Sequence, residues 1–433
     1  GKRERKGPLP RNWRDRERRR QGELARELTL RRKAFQLRQG FHLRQKRFHL
    51  RQKRFGGQDG GRDGGQARRS FERALHFDLC TATRHEMRQA RADSLAGDKD
   101  YIPASTATQV ITAGGLGKFN AVDLRKLMTG KVASATPFIG ELDEGLNGSS
   151  NRKDLETMFQ LIYLRFTQPR ADQIAFNTQA TQFKTIMANQ SASPQYVFFE
   201  ALNGARYQNH LRRQPTTAAM VDEWNLDKSL AFYKDRFADA SDFTFVFVGS
   251  FDLPTIKPLV ERYLGALPSI RRKESWKDVG VKTAAGIVEK KVEKGVDPKS
   301  QTAIIFSGTF EYDQASRTTI RAMSEILGTR LLEIIREELG GTYGISANPS
   351  YQKIPNPEYS ITIQFGSDPQ RTDELVKRIF QEIELFKTKG PTEKQVTDQK
   401  EAMLREFETS TTQNGYFLSQ LTSKYQLGED LIA

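Results

Sequence analysis

Two side chains able to hold an oxygen anion stand seven residues apart in LLEIIREELGGTYGISA (331–347): Arg336 and Tyr343. A guanidinium is always cationic and can hold a carbonyl or carboxylate, and a phenol donates one hydrogen bond at a defined point. When water attacks a peptide carbonyl, negative charge builds on oxygen, so fixed donors aimed there favour the transition state. On pattern alone Arg336 reads as a solvated cation at a helix end, and Tyr343 as a strand residue. The motifs that would complete a catalytic site are missing. A zinc peptidase helix needs HExxH or its inverse HxxEH, two histidines on one face with a glutamate base. His85 begins HEMRQ and fails at Gln89; His42 and His49 begin HLRQK, His76 HFDLC and His210 HLRRQ. A lone histidine such as His210 is usually a core or surface residue. GGLGKF (114–119) lacks the spacing and the Ser/Thr of a P-loop, there is no GxSxG elbow, and His76 with Cys80 sits in a segment too basic and irregular to be a thiol site.

The elements that must carry Arg336 and Tyr343 are legible from periodicity. Ile320, Met323, Leu327, Leu331 and Ile334 recur every three or four residues, which predicts a helix from about Ala315 to Leu339, closed by Gly340. The glycine pair then turns the chain into a hairpin over 342–366. In its second strand Tyr359, Ile361, Ile363 and Phe365 are expected inward, and Ser360, Thr362 and Gln364 outward. Helices are predicted over 371–388 and 392–424, with Pro391 at the first position of the second. Upstream, Phe243–Val248 reads as a buried strand followed by a helix ending near Gly265.

This pattern occurs twice. SSNRKDLETMFQLIYLRFTQPRADQIAFN (149–177) parallels SDPQRTDELVKRIFQEIELFKTKGPTEKQVTD (367–398), and QYVFFEAL (195–202) parallels NGYFLSQL (414–421). Two α+β repeats follow, 93–268 and 293–433, joined by a charged, Gly- and Pro-broken linker at 269–292. The first repeat has a strand 41 residues beyond Leu202 that the second has no room for before Ala433, so the second repeat is expected to be truncated.

Residues 1–92 differ from the rest. They hold 28 Lys+Arg against 10 Asp+Glu, while the remainder holds 41 against 43, so the +16 net charge lies in this one segment. It lacks Val, Ile and Tyr, the usual material of strands and cores, and repeats FHLRQKR at 41–47 and 48–54 before a glycine-rich stretch. The segment reads as disordered, or as residues translated out of frame; an arginine-rich arm for nucleic acid or anionic lipid is the alternative. No apolar run suits a signal peptide or a membrane span, and one cysteine excludes an internal disulfide framework.

LLEIIREELGGTYGISA, with KGVDPKSQTAIIFSG before it and GPTEKQVTDQKEAMLREFE after it, resembles the C-terminal half of insulinase/pitrilysin-family zinc peptidases. The likeness is to bacterial members with both halves in one chain. AGGLGKFNAVDLRKLMTGKVAS and SLAFYKDRFADASDFTFVFVGSFD resemble the third of that family's four homologous domains. The resemblance covers about 94–433. It implies mostly antiparallel sheets with packed helices, and a clam-shell whose absent N-terminal half carries the HxxEH zinc site. It also implies that Arg336 and Tyr343 reach the substrate backbone near that zinc. On this reading the chain binds no zinc itself and is a substrate-binding, non-catalytic half, needing an N-terminal catalytic half or partner subunit to cleave peptides. The family's inactive, scaffold-like members supply an alternative, and nucleic-acid binding through 1–92 a third. Bacterial relatives are commonly exported to the cell envelope, yet this chain shows no signal, so the sequence assigns no compartment.

Overall fold

The structure, a computed structural model, describes residues 93–272 and 276–431, together with the backbone of strand β1, Asp78–Arg84. All of these lie in one compact unit, Leu75–Ala433. The tandem heptad and His42, His49, His76 and His85 lie outside the described residues, as does the Cys80 side chain.

Two antiparallel sheets with packed helices confirm the expected α+β class. The first contains β1, β2 (Ala133–Ile139), β3 (Glu144–Ser150) and β4 (Phe243–Val246), in the order β2-β3-β1-β4. The second contains β5 (Ser300–Thr309), β6 (Ile345–Gln352) and β7 (Glu358–Ser367), in the order β5-β7-β6. With β2, β3 and β1 set against β6, β7 and β5, the two orders coincide, and among the described residues the first sheet alone has a fourth strand. The two sheets thus share a strand order over three strands.

β1 is a departure from the sequence reading, which places no strand before residue 93. It sits between β3 and β4, with Thr81 opposite Asn147 on one side and Val246 on the other. Strand formation depends on the pairing a segment finds more than on its own propensity. Here both neighbours offer an unfilled ladder.

The longer helices also repeat. α1 (Leu155–Thr167), α2 (Gln173–Ser191) and α3 (Pro194–Tyr207) follow β3; α4 (Leu226–Arg236) precedes β4. α5 (Gln314–Leu331) follows β5, and α6 (Thr372–Lys389), α7 (Glu393–Ser410) and α8 (Asn414–Leu427) follow β7. The single helix expected over 392–424 is therefore two. Thr411 and Thr412 turn their hydroxyls back onto the carbonyls of Glu408 and Thr409, which ends α7 and lets the chain restart after Gln413. Pro391 precedes the helix, whose N-cap is Thr392 in a capping box with Gln395.

One core gathers Met158, Phe159, Ile162 and Phe166 of α1 with Leu146, Tyr233, Phe237 and Phe243. The other joins Leu331, Ile335, Ile345, Ile363, Phe365, Leu375 and Ile379. Along α6 the buried positions are Leu375, Ile379, Glu382 and Phe386, one helical stripe with a carboxylate in it. Glu382 is held at 2.8 Å by both Arg330 and Arg378, so its charge is paired where it is buried.

The segment between the repeats has no helix or strand among its described residues up to β5. It lies on the first repeat at three points. His210 Nε2 meets the Val279 carbonyl at 3.2 Å, the Ala284 amide donates to the Arg206 carbonyl at 2.7 Å, and Gly295 lies against the Pro194 ring.

Candidate functional site

Arg336 and Tyr343 stand on either side of one helix-to-strand junction. Beyond α5 the helix continues through Leu332–Glu338 with its turns widened to i→i+5, as in the 3.1 Å bond from the Leu339 amide to the Ile334 carbonyl. Such π-type turns rotate the side chains that follow away from their α-helical direction and recur at functional sites. Arg336 lies in this widened turn with its carbonyl taken by the Gly340 amide at 3.0 Å.

The chain then reverses within two residues. Gly340 has φ +57°, the left-handed conformation that closes a helix at little cost only for glycine. Gly341 is needed for a different reason. A Cβ there would lie 3.0 Å from Cδ1 and 3.2 Å from Cγ of the fully buried Leu375, and closer still to Cδ2. Arg371 Nη1 donates to the Leu339 carbonyl at 3.2 Å, tying the helix end to the start of α6. Past the glycines, the Thr342 hydroxyl accepts from the Gly344 amide (3.2 Å) and donates to its carbonyl (2.9 Å). This local turn presents Tyr343 to solvent.

The backbone under the pair is thus clamped by a cap, a side-chain hydrogen bond and a core leucine, while the side chains are free. Arg336 is exposed and Tyr343 fully so, at 101 % of its reference area. Among the described residues neither makes a side-chain hydrogen bond or ion pair, although Glu337 and Glu338 adjoin Arg336 in sequence. A cation and a phenol with unused donors, on a rigid junction, can hold an incoming carbonyl or carboxylate without first breaking internal bonds.

The other residues with chemical potential are engaged structurally. His210 Nδ1 accepts from the Arg212 amide at 3.3 Å, leaving Nε2–H to donate to Val279, so both ring nitrogens are occupied. Gly114 and Gly115 lie against the backbone of Arg170 and Phe119, and Leu116 is fully buried, so GGLGKF is a packing turn. Among the described residues no three His, Cys, Asp or Glu side chains gather as a metal site, and none offers a ligand set for zinc. Nor is any described helix long and apolar enough to cross a membrane.

Sequence reasoning missed a second polar cluster at the start of the first repeat. Arg212, with its side chain buried, donates to the carbonyls of Asp93 (3.0 Å) and Ala96 (2.6 Å), pairs with Asp98, and covers the Tyr101 ring at 4.5 Å. Burial pushes the neighbouring Asp93 carboxyl up to about 7 against the pull of Arg212. The partners are over a hundred residues apart, so no local pattern announces them.

Residues 223–403 match the family model described as the peptidase M16 inactive domain. The chain is 21 % identical over 319 residues to the probable zinc protease PqqL of Haemophilus influenzae, covering 72 % of this chain and 34 % of that protein. The periplasmic protease PqqL of Escherichia coli superposes with a TM-score of 0.70 at 18 % identity, over 81 % of this chain and 38 % of that one. The first half of the same protease matches with a TM-score of 0.57 at 14 % identity, over 82 % of this chain and 79 % of that one. The chain spans about a third of the length of the curated relatives it matches.

Proposed function

Since this chain carries a peptidase M16 inactive domain and is homologous to the C-terminal portion of PqqL-type zinc proteases, we propose that it is the substrate-binding, non-catalytic half of a zinc metalloendopeptidase. Arg336 and Tyr343 are the residues this half lends to the joint active site. The observation that carries the reading is their state: exposed, without a side-chain partner among the described residues, on a junction fixed from beneath by Gly340, Gly341 and Arg371. The zinc, its ligands and the base belong to the N-terminal half, and when bound the metal supplies the activated water. In this half the Arg336 guanidinium holds a substrate carbonyl or terminal carboxylate. The Tyr343 phenol donates to the oxygen on which charge develops. Because neither donor must leave an internal partner, the pair is organised before substrate arrives.

The test is reconstitution. With an N-terminal half bearing HxxEH supplied in trans, a quenched-fluorescent peptide is cleaved, and neither half cleaves it alone. Arg336→Ala and Tyr343→Phe each lower kcat/KM by about 10²–10³, the usual effect of removing one transition-state donor. Both variants melt as the parent does, since both side chains are exposed. Chelator-sensitive cleavage by this chain alone, or variants within about twofold of the parent, would refute the assignment.

A further inference from the structure

At the seam between the repeats, in a place that neither Arg336 nor Tyr343 lines, a cavity of about 360 Å³ opens between the β2–β3 turn, the C-terminal end of α3 and the β6–β7 hairpin. This is the small end of the range of ligand pockets, about 300–1,000 Å³. Two of its side chains carry unmatched charge. From the first repeat, Arg206 donates through Nη2 to Ser360 Oγ at 3.0 Å and lies over the Tyr207 ring at 4.9 Å. Its Nε is buried with no acceptor, and no carboxylate pairs with it among the described residues. From the second repeat, Glu358 at the start of β7 is half-buried and has no cationic partner among the described residues. The remaining charges are accounted for: Arg213 and Glu141 form a bidentate pair, and Asp143 has a partner of its own.

The Arg206 guanidinium lines the cavity without a carboxylate, and a guanidinium is matched to one by its planar fork of donors. One unmatched cation and one unmatched anion in a single small cavity do not suit a simple anion, which Glu358 repels, or a simple cation, which Arg206 repels. They suit a molecule bearing both charges. The geometry points to a binding site for a short zwitterionic peptide of about dipeptide size. Its terminal carboxylate lies on Arg206 and its ammonium on Glu358, with Ser360 and Tyr359 at the seam. Because the walls come from both repeats, the bound peptide bridges them. This site is independent of any role for Arg336 and Tyr343.

The probe is the dipeptide Ala-Ala, titrated calorimetrically into the full chain beside N-acetyl-Ala-Ala, Ala-Ala amide and inorganic phosphate. Ala-Ala binds with a Kd below about 1 mM, and each blocked form binds at least about 10-fold more weakly. Arg206→Met weakens Ala-Ala about 10-fold but leaves the amide unchanged, and Glu358→Gln does the same with respect to the acetylated form. The blocked peptides test the unaltered protein, so the result stands even where a variant fails to fold. No binding of Ala-Ala up to about 10 mM, equal binding of free and blocked peptides, or tighter binding of phosphate than of Ala-Ala would each overturn the assignment.

Discussion

Substituting Gly341 by alanine puts one methyl group where Leu375 already sits. Leu375 is fully buried against Leu331, Ile335 and Ile379, so its isobutyl head has nowhere to turn. Overfilling a packed core costs about 1–3 kcal/mol. A gain of about 0.4–1 kcal/mol from stiffening the unfolded chain offsets part of it, leaving a net loss of about 1–2 kcal/mol. Gly340→Ala separates sterics from conformation. Nothing lies within 4 Å of its Cβ position, so its cost of about 1–2 kcal/mol comes only from the left-handed backbone. Leu375→Ala alone costs about 2–5 kcal/mol by opening a cavity. When Gly341→Ala and Leu375→Ala are combined, the added methyl occupies part of that cavity, so the loss is about 1–2 kcal/mol smaller than the sum of the two. No tryptophan lies in the second repeat, so amide hydrogen exchange over 345–352 and 375–386 is the readout. Fluorescence of the buried Trp224 in the first core serves as the unchanging control. If the two substitutions add to within about 0.5 kcal/mol, Gly341 is not packed on Leu375, and the clamp under Tyr343 is wrong.

Two further outcomes follow from buried charge. Asp93, with its folded pKa raised from 3.8 to about 7, binds more protons folded than unfolded between those values, so its contribution is full below pH 4 and lost as pH rises to 7. The loss is at most about 4 kcal/mol, and Asp93→Asn should flatten urea-denaturation stability across that window; an unchanged slope there would contradict the assignment. Glu382→Gln should destabilise the second repeat by about 2–4 kcal/mol, because it removes the charge that Arg330 and Arg378 share in the core. Exchange rates in α6 equal to the parent's would show that the triad adds no stability.

Periodicity was enough to read α5 and α6, whose stripes each bury one face, but it ran α7 and α8 together. It failed where tertiary contacts decide. Ser360 alternates as an outward residue, yet it is buried because Arg206, 154 positions away, reaches across to it. The break between α7 and α8 was present in the parallel with α2 and α3, but both segments are helix-favouring and only threonine back-bonding parts them. β1 lacks β-branched aliphatics and is recruited by its neighbours' open ladders. For Arg336 and Tyr343 the spacing marks two donors, and family resemblance suggests their role. Their lack of partners among the described residues is a three-dimensional fact that no pattern carries.

The anchoring of the connecting segment at Val279, Ala284 and Gly295 changes what kind of joint it is. A free tether of this length would let its two ends wander over a wide volume, and their encounter would carry an entropic penalty that grows with length. Pinned this way, the slack is confined to the few residues between Gly295 and Ser300, whose full extension is about 17 Å. The second sheet is therefore on a short leash. It meets the first repeat at high local concentration, and any opening between them must stay within that leash or peel the segment from α3.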